Sequence, residues 1–121
     1  MGLQKKILVV DDQAGIRLLL TDLFTSKGYH VATATTGKEA LEMINTSPFH
    51  LIIVDYRLPI YNGPEILDQL HQNEQEIPAL LMSGLEESIK EEVSRYSQVK
   101  AVLTKPFDVD QMVEIVKSVI G

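Results

Sequence analysis

Five polar residues stand directly behind short apolar runs in this chain. Asp11 and Asp12 follow Lys6-Ile7-Leu8-Val9-Val10, and Asp55 follows Leu51-Ile52-Ile53-Val54. Ser83 follows Ala79-Leu80-Leu81-Met82, and Lys105 follows Ala101-Val102-Leu103-Thr104. Carboxylates held close together repel and raise one another's pKa values unless a cation lies among them. Oxygen ligands, with no cysteine and no histidine nearby, suit Mg2+, which keeps several waters and bridges carboxylates to a phosphate. A metal, one lysine and one hydroxyl are too few for a closed metal cage but are well furnished for a phosphoryl group. The metal and Lys105 would neutralise its oxygens, the Ser83 hydroxyl would donate to a third, and Asp55 would be the nucleophile, since carboxylates form aspartyl-phosphate intermediates. Phosphoryl transfer depends mostly on positioning and charge stabilisation, so little else is required.

Taken singly, each of these residues has an ordinary explanation. An aspartate or serine after a strand is usually a turn or cap residue, and a lysine before proline is usually exposed. The elements that carry them change the weighing. Short apolar runs rich in branched side chains read as strands buried on both faces, the kind found in parallel sheets. Between them lie helical spacings: Ile16, Leu19, Leu20, Leu23 and Phe24, with Gly28 as C-cap and Lys27 in the last turn. Val31–Ala34 reads as a less apolar, edge strand, and Thr36-Gly37-Lys38-Glu39 has capping-box spacing before Ala40, Leu41 and Ile44. Pro59 to Gly63 is a turn-rich loop, and Pro64 opens a helix through Ile66, Leu67 and Leu70. Glu86 to Tyr96 is a mostly polar helix with a thin stripe of Ile89, Val93 and Tyr96, the least firmly packed of the set. Asp108 caps a last helix striped by Met112, Ile115, Val116 and Val119.

Strands that alternate strictly with helices call for a parallel sheet with right-handed crossovers, a three-layer α/β domain. All strand C-termini then lie along one edge, where such sheets bind ligands, and the five polar residues converge on one crevice.

Composition narrows the partners. With 121 residues and 45% hydrophobic content, the chain is expected to form one domain over 1–121 with a substantial core. A formal charge of −6 disfavours direct nucleic-acid binding, which needs a basic surface. The absence of cysteine excludes disulfides, thiolate metal sites and thiol catalysis. No apolar run approaches the ~18 residues of a membrane helix, so a soluble cytoplasmic domain, a monomer or weak dimer, is the expectation. His30, His50 and His71 sit on separate elements with no metal or catalytic spacing, and surface or loop roles suit them.

The ordered set Asp11-Asp12, Asp55 with Pro59 and Gly63 downstream, Ser83, and Lys105-Pro106 resembles the receiver domain of two-component response regulators, over essentially the whole chain. Each motif alone is weak, and the combination is specific. The resemblance implies a flavodoxin-like sheet of order 2-1-3-4-5, an order the general rule for such folds also covers. It implies Asp55 as phosphoacceptor, Asp11 and Asp12 as the acidic pair holding Mg2+ with the backbone carbonyl of Arg57, Ser83 as switch hydroxyl and Lys105 as phosphate-binding lysine. It implies a cis Lys105–Pro106 bond and a phosphoacceptor that assists its own phosphorylation and dephosphorylation rather than an enzyme. The segment Asp11–Arg17 and the turn Lys105-Pro106-Phe107-Asp108 are most similar to single-domain regulators of sporulation-type phosphorelays. Partners would be a sensor histidine kinase or a four-helix phosphotransferase, with Gln13, Gly15, Ile16 and Leu19 as docking residues. For Ile16 and Leu19 the competing role is simple core packing.

Departures from the family pattern also matter. Val102 stands three residues before the lysine, where an inward-swinging aromatic is common. Gly84 replaces a slightly larger small residue, which should loosen the loop after the fourth strand. Leu85 and Arg57 would flank the phosphoryl group, their bulk restricting attacking water and prolonging the phosphorylated state. Two rival functions are an interaction module that no longer switches and a flavin-dependent electron carrier. The first should have lost part of the acidic pair, acceptor or lysine, and all are present. The second needs a hydroxyl- and glycine-rich phosphate loop after the first strand, where this chain has Asp-Asp-Gln. The domain could equally be the receiver portion of a longer transcription factor or hybrid kinase.

Overall fold

Alternating side chains along each strand send apolar groups to both sides of the sheet, so the core is two layers with the sheet between them. The computed structural model describes residues 4–84 and 88–121, residues 88–90 in backbone only. Among them β1 (Lys6–Val10), α1 (Ala14–Ser26), β2 (His30–Ala34), α2 (Gly37–Thr46) and β3 (Leu51–Asp55) are followed by α3 (Gly63–Gln72), β4 (Ala79–Ser83), α4 (Ser88–Val93), β5 (Val99–Thr104) and α5 (Val109–Ile120). The strands form one parallel sheet of order β2-β1-β3-β4-β5, as the resemblance implies.

In β3, Leu51 and Ile53 join Phe24, Leu20, Met112 and Val116 on the side covered by α1 and α5. Ile52 and Val54 face the opposite cluster of Ala40, Ile44, Ile66, Leu67, Leu70 and Val93 from α2, α3 and α4. All five residues of β3 are buried. Fully burying a side chain of this size contributes about 1.5–3 kcal/mol, so the strand is anchored from both sides and its C-terminal Asp55 is held in place.

Several local readings differ from the structure. Leu19 is 44% exposed and its neighbour Leu18 65% exposed, so the buried stripe of α1 runs through Leu20 and Phe24 instead. Thr36 accepts from the Glu39 amide as a cap should, but the Glu39 carboxylate turns back to the Thr35 amide and hydroxyl rather than to Thr36. The complete capping box lies on α3, between Asn62 and Glu65. β5 starts at Val99, two residues before the apolar run. Val99 pairs with Ala79 and Ala101 with Leu80, so Lys100 is an extra residue in the ladder. α4 ends at Val93 and Tyr96 is buried beyond it, while the expected start at Glu86 and the side chain of Ile89 lie outside the described residues. Gly28, at φ +95°, closes α1 as expected, one residue past the Lys27 cap, and Asp108 caps α5 through the amides of Asp110 and Gln111.

Candidate functional site

The crevice is built at the C-terminal ends of β1, β3 and β5. Asp11 is fully buried, Asp12 is exposed and Asp55 is nearly buried. One carboxylate oxygen from each lies within 4.8 Å of the others. Lys105 Nζ donates to Asp11 Oδ2 at 2.9 Å and to Asp55 Oδ2 at 3.0 Å, bridging the two buried carboxylates. Gln13 Oε1 accepts from the same ammonium at 3.5 Å.

Backbone groups fix these side chains. The Gln13 amide donates to Asp11 Oδ1 at 2.8 Å, and Arg17 Nη1 donates to the Asp11 carbonyl at 2.8 Å. The Arg57 amide donates to Asp55 Oδ1 at 3.3 Å. Lys105 N donates to the Ser83 carbonyl at 2.6 Å, and Tyr56 N to the Met82 carbonyl at 2.7 Å, so the ends of three neighbouring strands are tied together. The Lys105–Pro106 bond is cis.

The electrostatics follow from burial. Loss of water pushes the Asp55 carboxyl above its ordinary value, opposed by the hydrogen bond from Lys105 and reinforced by the charge of Asp11. Burial pulls the Lys105 ammonium down, but hydrogen bonds and charge from Asp11 and Asp55 outweigh it, and its pKa stands above the ordinary value. The lysine therefore stays charged at neutral pH and serves as the resident counter-ion of an acidic pocket. An all-oxygen donor set of this kind fits a hard divalent cation.

Ser83 is buried at the end of β4, on the same rim. Arg57 is exposed, with its amide directed at Asp55. Val102 is half-buried against the cluster on the α3 and α4 side. Gln13, Gly15 and Leu19 are exposed and Ile16 is half-buried, so of the two apolar residues one packs and the other is free to meet a partner. Leu85 lies outside the described residues.

Two features escaped sequence reasoning. The Tyr56 hydroxyl donates to Glu92 Oε1 at 2.5 Å, joining the residue after Asp55 to α4, and this bond pushes the phenol's pKa up. The loop after β3 rests on the N-terminus of α2: Gly37 N donates to the Pro59 carbonyl and Lys38 N to that of Ile60. Neither contact has a sequence period to reveal it. A glycine at the first position of α2 was the one available hint.

Fold and site together define a doubly wound α/β domain with an acidic, lysine-bridged crevice at its strand ends. The response regulator receiver domain family matches residues 7–117, and the chain belongs to that family. It is 32% identical over 115 residues to sporulation initiation phosphotransferase F of Bacillus subtilis, covering 95% of this chain and 93% of that protein. It is 31% identical to a probable chemotaxis protein CheY of Rhizobium etli, covering 96% and 92%. It spans about half of the B. subtilis alkaline phosphatase synthesis regulator PhoP, at 34% identity over 98% of this chain and 49% of that protein. Among solved structures, the Francisella response regulator 1452 receiver domain superposes with a TM-score of 0.90 at 30% identity, covering 97% of each chain. The Thermotoga maritima regulator TrrA, solved in complex with Mg(2+)-BeF, superposes at 0.85 with 28% identity, covering 96% and 99%. Receiver domains are phosphoacceptors that bind Mg2+ at an acidic pocket and interact with sensor kinases and phosphotransferases. Among the described residues, no helix is long and apolar enough to cross a membrane.

Proposed function

We propose that this chain is a single receiver domain over 1–121 that accepts a phosphoryl group on Asp55 from the phosphohistidine of a sensor kinase or phosphotransferase. The observation that carries this reading is the Lys105 ammonium bridging the buried carboxylates of Asp11 and Asp55 at 2.9 and 3.0 Å. Asp55 is presented as a carboxylate at a strand tip, with its Oδ1 oriented by the Arg57 amide. Its oxygen attacks phosphorus as the P–N bond of the phosphohistidine breaks, and the leaving imidazole takes up a proton. Lys105 turns from Asp55 to the incoming phosphoryl oxygens while Asp11 keeps its other contact, and the Ser83 hydroxyl donates to a further oxygen. Asp11, Asp12, Asp55 and the Arg57 carbonyl would hold Mg2+, which supplies positive charge to the phosphoryl oxygens when bound.

The protein acts as a phosphoacceptor that assists its own phosphorylation and dephosphorylation, not as an enzyme with a separate substrate. The added charge at Asp55 biases the segments around Ser83 and α4. Docking of a helical partner engages Gln13, Gly15, Ile16 and Leu19 on and beside α1, and similarity to the sporulation phosphotransferase supports a relay role.

Incubation with a small-molecule phosphodonor and Mg2+ tests the core of this reading. One added phosphoryl mass is expected on the parent and none on Asp55→Asn. Persistence of the adduct in Asp55→Asn, or its failure to form on the parent, would refute the assignment.

A further inference from the structure

The first N–H groups of any helix need partners outside it. In α2 the Thr36 side chain satisfies the Glu39 amide. The Gly37 and Lys38 amides go instead to the loop that follows the phosphoacceptor strand, reaching the Pro59 carbonyl at 3.4 Å and the Ile60 carbonyl at 3.0 Å. The approach is so close that a Cβ on Gly37 would lie 1.8 Å from the Tyr61 carbonyl oxygen and 2.6 Å from that of Ile60. Both obstacles are backbone atoms, so no side-chain rotation could relieve the contact.

The loop bears an independent mark of this seat. Ile60 and Tyr61 are consecutive residues with left-handed backbone, at φ +48° and +68°. For a β-branched residue such as Ile60 this is a genuine outlier, and such backbones persist only where the surroundings over-determine them. The same loop is closed at its other end by Gly63 N donating to the Tyr56 carbonyl at 3.1 Å. Between those closures lies Arg57, whose amide orients Asp55 and whose carbonyl the proposed metal site uses.

We propose that the N-terminus of α2, through Gly37 and the Lys38 amide, is a positioning element for the phosphoacceptor loop: it sets where the Arg57 carbonyl and amide stand relative to Asp55. Gly37 is a positioning residue of the site although it touches none of the reacting groups. This inference rests on the assignment of Asp55 and its metal site, and its test includes a readout independent of both.

Two variants unseat the loop. Gly37→Ala places a methyl group against the Ile60 and Tyr61 carbonyls. Lys38→Pro removes the donor to Ile60 while copying the Gly63-Pro64 opening that α3 already uses, so it keeps a helix start the fold tolerates. Ile44→Ala, in the buried stripe of the same helix, destabilises α2 while leaving the Gly37 and Lys38 amides that meet the loop in place.

In metal-free protein, hydrogen exchange at the Arg57 and Gly63 amides should speed up in the first two variants and not in Ile44→Ala beyond what its global stability dictates. Misplacement of site groups by about 1 Å can cost up to about 100-fold, so Mg2+ affinity, followed by tyrosine fluorescence, should fall by roughly tenfold in the first two alone. If Gly37→Ala cannot be folded, Lys38→Pro carries the test by itself. Unchanged exchange and affinity in folded variants would overturn the proposal, as would an equal loss in Ile44→Ala. A parent that neither binds Mg2+ nor accepts phosphate would refute the metal and acceptor assignment instead, leaving the exchange result to judge the positioning role.

Discussion

Replacing Lys105 by methionine keeps an unbranched side chain one atom shorter and removes the cation between two buried carboxylates. At an effective dielectric constant of about 20, opposite charges ~3 Å apart attract by about 5.5 kcal/mol and like charges nearly 5 Å apart repel by about 3.5 kcal/mol. Lys105 makes two such attractive contacts, at 2.9 and 3.0 Å, and the carboxylate oxygens it separates lie within 4.8 Å of one another. Its own desolvation offsets much of the gain. Removing one partner of a buried ion pair typically costs about 3–5 kcal/mol. The Lys105 side chain keeps 18% of its surface in water, which places the loss at the low end, about 3 kcal/mol. With a urea slope of about 1–3 kcal/mol per molar, the unfolding midpoint of Lys105→Met should fall by roughly 1–3 M at pH 7 without metal. Added Mg2+ should restore much of this, because a cation that binds only the folded pocket stabilises it by mass action. An unchanged midpoint in metal-free buffer, or no recovery with Mg2+, would show that the lysine is not the counter-ion of this pocket.

The pH dependence should carry the same signature. Asp55 holds its proton more tightly folded than unfolded, so between its ordinary value near 3.8 and its raised folded value, stability contributed by the protonated form is lost as pH rises. Urea midpoints of the parent should therefore decline relative to Asp55→Asn across that interval, and parallel curves would contradict the burial argument. Lys105 behaves in the opposite sense of charge: its raised pKa adds stability below its ordinary value near 10.5, lost as pH climbs through the folded value. Gly28→Ala should cost about 1–2 kcal/mol, from backbone alone, because the residue sits at φ +95° with open space around it. A denaturation midpoint equal to the parent's would contradict that reading.

Element order and the convergence of Asp11, Asp12, Asp55 and Lys105 were legible in the chain because two buried faces force apolar runs, and each run ends where its polar residue begins, whereas the sheet order followed from the resemblance to receiver domains. The edges of elements were less legible. Lys100 interrupts the apolar pattern of β5 because it is the extra residue of a bulge, and a period of two cannot anticipate an insertion. Leu19 looked like core because helical spacing does not reveal which flank of a stripe lacks a neighbour. The Tyr56–Glu92 bond and the seat of the loop on Gly37 join residues far apart in sequence, and only the folded chain brings them together. Asn62 and Glu65 are only three residues apart, and their capping box was masked by the more conspicuous Pro64 between them.

The lysine bridge also places the site in time. Asp11 and Lys105 are 94 residues apart in the chain. At synthesis rates of about 5–20 residues per second, roughly 5–20 s separate their emergence. Throughout that interval the first acidic residues exist without their counter-ion, and no crevice can form until β5 has paired beside β4. A phosphodonor that requires all three carboxylates and the lysine therefore recognises only chains that have finished folding, so competence to receive a signal doubles as a check that the sheet is complete.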